Sequence, residues 1–185
     1  EVLIGVDDDD DISLETLSKY AKDNSSRDIT IVEFKRKSYE NFIEYINELA
    51  LKSTGDWIFG FSDDMLVKTQ GWDSEVIKYS DFTVISPAVP NNCSVRKSIE
   101  SKKKKPKTVY SYNPIWPRAW LDTLGYISKD VAADVWTHEV AEKVGIFHMA
   151  NEIELYSRRY KDSGEEALDD ETFKYMQQSR RAFRR

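Results

Sequence analysis

The sequence predicts a layered α/β domain whose central sheet is mostly parallel and flanked by helices. Three observations carry that expectation. Short apolar runs alternate with stretches of helical spacing across residues 2–61. Two of these runs, Val2-Leu3-Ile4-Gly5-Val6 and Trp57-Ile58-Phe59-Gly60-Phe61, lead into acidic turns, Asp7 to Asp11 and Asp63-Asp64. Turn residues punctuate the segments. Strand–helix–strand–helix–strand order of this kind marks parallel strands joined by crossover helices.

Each element has its own local reason. Residues 2–6 read as a buried strand. Ile12, Leu14, Leu17 and Tyr20 recur at helical spacing, which predicts a helix over 12–22 with Ser13 as a possible N-cap. Asp9 to Asp11 are either solvated or cap that helix through its dipole. Asn24-Ser25-Ser26 is a turn. Residues 29–34 form a second strand, followed by Lys35-Arg36-Lys37. The clearest amphipathic helix spans 39–52, with Phe42, Ile43, Tyr45, Ile46, Leu49 and Ala50 on its apolar side and Gly55 as its stop. Residues 57–61 are the third strand. Beyond it come a short helix at 72–79, a strand at 82–86 and a loop marked by Pro87, Pro90, Asn91 and Asn92. Residues 101–107 form a basic loop whose plainest reading is a solvated charged segment. A strand at 109–112, helices at 117–124 and 135–144, the latter stopped by Gly145, and strands at 146–149 and 153–156 follow. A basic helix from Asp170 closes the chain.

A length of 185 residues suits one domain with a single core, placed at 1–160, with 161–185 as a helical tail. The net charge of −6 argues against a nucleic-acid binder with a broad basic face. The single cysteine, Cys93, excludes an internal disulfide and fits a reducing compartment, so a cytoplasmic location is expected. No apolar run approaches the ~20 residues of a membrane span.

A strand that ends in adjacent carboxylates presents them at the carboxyl edge of a sheet, where open α/β folds take their ligands. Asp63 and Asp64 put two hard oxygen donors on one turn. Such donors suit Mg²⁺ or Mn²⁺, and that cation suits a diphosphate. The plainer reading is a pair of turn aspartates. Arg36 and Lys37 leave the second strand at the same sheet edge, either approaching base or phosphate or forming a surface basic pair. Asn47 reads as a hydrogen-bonding residue on a helix face. Trp116 and Trp136 are either core or an acceptor platform, since sugar C–H groups stack well on indole.

Taken in order, these motifs resemble a GT-A-fold glycosyltransferase of the family-2-like type. The resemblance rests on Val6-Asp7-Asp8 at a strand end and on Asn47 eight residues before Gly55-Asp56-Trp57. Ser62-Asp63-Asp64 stands as an Asp-X-Asp-like motif, followed by Gly71-Trp72 and by the segment from Asp134 to Gly145. It covers roughly residues 1–160. It implies a Rossmann-like nucleotide-diphospho-sugar transferase fold and a metal-dependent transfer to an acceptor hydroxyl with inversion. A UDP-sugar is the favoured donor and a glycan or other hydroxyl compound the acceptor. Asp7 and Asp8 would sit by nucleobase and ribose, Arg36 by base or phosphate, and Asp63 by the ribose or a metal-bound water. Asp64 would bind Mn²⁺ or Mg²⁺, with His148 as a candidate to complete the site. Asp134 would be the general base, or else a plain N-cap, and His138 one turn on would be structural. The sequence departs from the family in carrying Ser62 for the first Asp of the motif. The family also opens with a further strand and helix, so the start of the domain, and possible further domains, are expected to lie outside residues 1–185. Two rival readings are a catalytically inactive GT-A-like binding or scaffold domain and a nucleotidyltransferase of similar fold.

Overall fold

The computed structural model describes residues 1–37, 42–62, 64–90, 113–130 and 132–158. The expected strand at 109–112, the basic loop at 101–107, Asp63 and the tail at 161–185 lie outside these. The chain divides into two compact units interleaved along the sequence. The first contains residues 1–60, 76–86 and 110–149, and the second contains residues 61–75, 87–109 and 150–185.

The first unit opens as expected. Strand β1 (Val2–Asp7) is followed by helix α1 (Asp11–Asp23) and strand β2 (Ile29–Phe34). The strands pair in parallel, from Val2 against Ile29 to Asp7 against Phe34. The N-cap of α1 is Asp10, not Ser13. One Asp10 carboxylate oxygen accepts from the Ser13 N–H at 3.0 Å and the other from the Ser13 hydroxyl at 2.7 Å. These hydrogen bonds hold the Asp10 carboxyl below its ordinary pKa.

Helix α2 (Phe42–Lys52) buries Ile43 and Ala50. Gly55 does not stop it in a left-handed cap, because its φ is not positive. Arg118 closes this end instead. Its guanidinium donates to the Gly55 carbonyl, at 2.6 Å from Nη2 and 2.9 Å from Nε, and to the Ser53 hydroxyl at 2.8 Å. Its Nη1 also reaches a carbonyl of the last helical turn, that of Ala50, at 3.5 Å, and carbonyls at a helix end that lack intrahelical donors need such partners.

Strand β3 (Trp57–Phe59) then departs from the expected pattern. It pairs antiparallel with strand β6 (Ile115–Pro117), which itself pairs antiparallel with strand β5 (Val84–Ala88) at Ile85 and Ile115. The α/β class therefore stands, but the sheets are mixed and not mostly parallel. Strand β6 explains the miss. It is three residues long and runs directly into helix α4 (Arg118–Leu124), so its sequence reads as the helix start. Gly125, at φ +76°, ends α4 in the left-handed region. Helix α5 (Ala133–Lys143) precedes strand β7, which spans Phe147–Ser157 without a break where two strands were expected. The core of this unit joins Ala50, Val84, Trp116, Trp120, Leu121, Ile127 and Ala141.

In the second unit, strand β4 (Met65–Val67) pairs antiparallel with the end of β7, from Met65 against Ser157 to Val67 against Leu155. A short helix, α3 (Trp72–Val76), begins just after it.

Candidate functional site

The carboxyl ends of β1 and β2 build the most developed polar group. Parallel pairing brings Asp7 level with Phe34, and the Asp8 N–H donates to the Phe34 carbonyl at 2.7 Å. The next residues of both strands therefore leave the sheet at one edge. The Arg36 N–H donates to an Asp8 carboxylate oxygen at 3.2 Å. The Arg36 guanidinium Nε lies 2.7 Å from Asp9 and 3.4 Å from Asp7. The hydrogen bond that Arg36 donates to Asp9, and then the charges of Asp9 and Asp7, raise the Arg36 pKa, so the guanidinium stays charged. Asp7, Asp8 and Arg36, expected at a nucleotide, thus share one edge. Lys37 turns away to pair with Glu44.

Tyr45 organises this edge and was missed as a polar residue. Its ring stacks on Phe34 with centroids 4.4 Å apart. Its hydroxyl lies 3.1 Å from an Asp7 carboxylate oxygen and 2.7 Å from the Lys35 carbonyl, and accepts from the Lys37 N–H at 2.9 Å. Desolvation, ahead of the Asp7 contact, raises the phenol pKa. The sequence counted Tyr45 within the apolar stripe of its helix. That was right for the ring, but periodicity carries no signal for the hydroxyl.

In the second unit, Asp64 enters β4 half-buried. The Ser62 hydroxyl donates to its carboxylate at 2.6 Å, and its backbone carbonyl accepts from the Arg158 N–H at 2.7 Å. Ser62, where the motif carries an acid, thus orients the Asp64 carboxylate. A carboxylate beside a hydroxyl is a pair of hard oxygen donors, the donor type Mn²⁺ and Mg²⁺ take, but two such donors supply only part of the roughly six oxygens these ions need. Among the described residues, no group of three or more His, Cys, Asp or Glu side chains is arranged to hold a metal. His148 belongs to the first unit, where its ring lies 4.9 Å from that of Tyr79.

Asp134 lies in the first turn of α5 but does not cap it. Ala132 holds the cap position, and its N–H donates to Asp130 at 2.9 Å. Asp134 and Trp136, assigned to base and acceptor platform, are two residues apart on a helix. Their side chains therefore leave it roughly 200° apart. Trp136 packs edge-on against Trp120 and tilted against Tyr126, with centroids 5.8 and 5.9 Å away. Trp116 cannot serve as an acceptor platform. It is 2% exposed, and its indole N–H donates to the Thr137 hydroxyl at 3.1 Å. A Cβ at Gly60 would stand 2.6 Å from its ring, so glycine permits that close approach. His138, expected to be structural, is buried, and its ring centroid is 4.1 Å from that of Phe147. Asn47, also as expected, bonds to protein backbone.

No protein-family model matches the chain, and neither a curated protein nor a solved structure does. Among the described residues, no helix is long and apolar enough to cross a membrane.

Proposed function

We propose that this chain is a metal-dependent transferase that moves a sugar from a nucleotide-diphosphate sugar, with UDP favoured, to an acceptor hydroxyl. The observation that carries the reading is the convergence of Asp7, Asp8 and Arg36 at the carboxyl ends of two parallel strands. Open α/β folds bind ligands at such ends, and carboxylates beside a fixed cation suit a base, a ribose and a phosphate. In this reading the exposed Asp8 accepts from base or ribose, and Asp7 is held ready by Tyr45 and Arg36. Arg36 offers its remaining guanidinium N–H groups to phosphate. Asp64, oriented by Ser62, would hold Mn²⁺ or Mg²⁺, which when bound offsets negative charge on the departing diphosphate.

The reaction balances as an inverting displacement. The acceptor oxygen forms a bond to the anomeric carbon while the bond from that carbon to the diphosphate oxygen breaks. The leaving nucleoside diphosphate takes that electron pair. The acceptor proton passes to the Asp134 carboxylate.

Binding without turnover is a second reading, favoured by Ser62 standing where the Asp-X-Asp-like motif carries its first acid. One experiment separates the two. Thermal unfolding is followed with UDP, GDP, dTDP and CMP, each with and without Mn²⁺, and release of nucleotide from the matching sugar donors is assayed. Ligand at a hundred times Kd stabilises the folded state by about 2.7 kcal/mol. The transferase reading expects a Mn²⁺-dependent rise in Tm with one nucleotide, lost in Asp64→Ala, together with nucleotide release. A rise without release supports the binding domain. No rise with any nucleotide removes both readings.

A further inference from the structure

Asn47, half-buried on α2, uses both ends of its amide on a loop about eighty residues away in sequence. Its Nδ2 donates to the Ser128 carbonyl at 2.8 Å. Its Oδ1 accepts from the Ile127 N–H at 2.8 Å and the Ser128 N–H at 3.2 Å. Ile127 and Ser128 are fully buried, so these backbone groups have no access to water as an alternative partner. The Ile127 carbonyl accepts from the Trp120 indole N–H at 3.0 Å.

The tie continues toward α5. The Asp130 N–H donates to the Ser128 hydroxyl, and that hydroxyl donates to the Asp130 carbonyl, each at 3.0 Å. The Asp130 carboxylate then accepts from the Ala132 N–H at the cap position of α5. Asp134 stands two residues further on, in the first turn. Packing alone does not explain Asn47, because Ile46 and Ala50 make the apolar contacts of this part of α2.

We propose that Asn47 is a positioning residue. Through Ser128 and Asp130 it sets the first turn of α5, and with it the direction in which the Asp134 carboxylate meets an acceptor hydroxyl. The catalytic half of this inference rests on the transferase reading, whereas the mechanical half stands by itself.

The test uses the full chain and two variants. Asn47→Ala removes the bracket. Ser128→Ala is the milder change, since the bonds from Asn47 go to the Ser128 backbone and survive while the link to Asp130 is cut. Amide hydrogen exchange is read at residues 132–137, with the β1 amides as the internal control. Both variants should speed exchange at 132–137 by about tenfold, the equivalent of one hydrogen bond, and leave β1 unchanged. With a donor sugar and Mn²⁺, kcat should fall by about ten- to a hundredfold while KM for the donor stays constant. Unchanged exchange at 132–137 in both variants, or faster exchange everywhere, overturns the mechanical half. Local exchange with unchanged kcat, or a loss confined to KM, overturns the catalytic half. A wild-type chain that binds donor but never turns it over refutes the transferase reading, and exchange still decides whether Asn47 positions α5.

Discussion

Two parts of the first unit are built in opposite ways. The β1–β2 layer is thinly covered: Val6 and Phe34 are its buried apolar side chains, while Val2 is 51% exposed and Ile12 on α1 is 80% exposed. The β3–β6–β5 part is filled, with Val84, Ile85, Ile115 and Trp116 almost wholly withdrawn from water. The thin layer carries the candidate nucleotide residues, tied by exposed ion pairs and a tyrosine hydroxyl. The filled part carries the structural load through apolar burial and satisfied indole N–H groups. Substitutions in the two parts should therefore act on different observables, stability in one and ligand response in the other.

The largest expected effect tests the filled part. Trp116→Ala removes a buried indole, strands the Thr137 hydroxyl and opens a cavity beside Gly60. A loss of about 3–5 kcal/mol is expected for an aromatic truncated in a core. Urea unfolding should show a lower midpoint at an unchanged slope. A loss below about 1 kcal/mol would mean that the site collapses around the gap, and that this part is no better packed than its neighbour.

A smaller effect depends on pH. Burial pushes the His138 imidazole below its ordinary pKa, against the opposing pull of Glu142 and Glu139, with Glu142 Oε2 3.5 Å from Nε2. Phe147 packs edge-on with the ring. The folded chain thus prefers the neutral ring. Above about pH 6.5, the ordinary histidine value, folded and unfolded states are both neutral and His138 adds no slope. As pH falls below that value the unfolded state takes the proton first, so stability declines until the lower folded pKa is reached. Urea midpoints compared at pH 7 and pH 5.5 should fall in the wild type and fall less in His138→Gln. Equal falls would assign the acid sensitivity to other groups.

The same contrast explains what could be read from the sequence. The β1–α1–β2–α2 stretch was legible because its strands are bounded by turn signals, its helices show apolar spacing, and β1 pairs with the next strand in the chain. Strand β6 of the filled part was not, nor was β4 of the second unit. Ile115-Trp116-Pro117 and Met65-Leu66-Val67 are three residues each, too short for a period to show, and antiparallel pairing with distant segments fixes them. At the candidate site, Asp7, Asp8 and Arg36 were legible because chemistry followed directly on strand ends. Tyr45 was hidden inside an apolar stripe. Trp116 stayed open between core and acceptor platform because an indole reads alike in both, and only burial separates the two.

The smallest effect on stability, and the sharpest test of the contrast, is Arg36→Ala. Its side chain is 58% exposed and faces Asp9 at 57% and Asp7 at 30%. Exposed pairs of this kind are screened by salt and lose side-chain entropy to hold their geometry. Tm should therefore stay close to that of the wild type at physiological salt. Loss of the cation should nevertheless leave Asp7, Asp8 and Asp9 with mutual repulsion at one sheet edge, which opposes the approach of a phosphate. Any rise in Tm given by a nucleoside diphosphate with Mn²⁺ should thus shrink sharply, and added salt should recover part of it by screening the aspartates. If Arg36→Ala instead lowers Tm as far as Trp116→Ala does, the ion pairs hold the thin layer together. The division between a stabilising core and a ligand-facing edge would then be wrong.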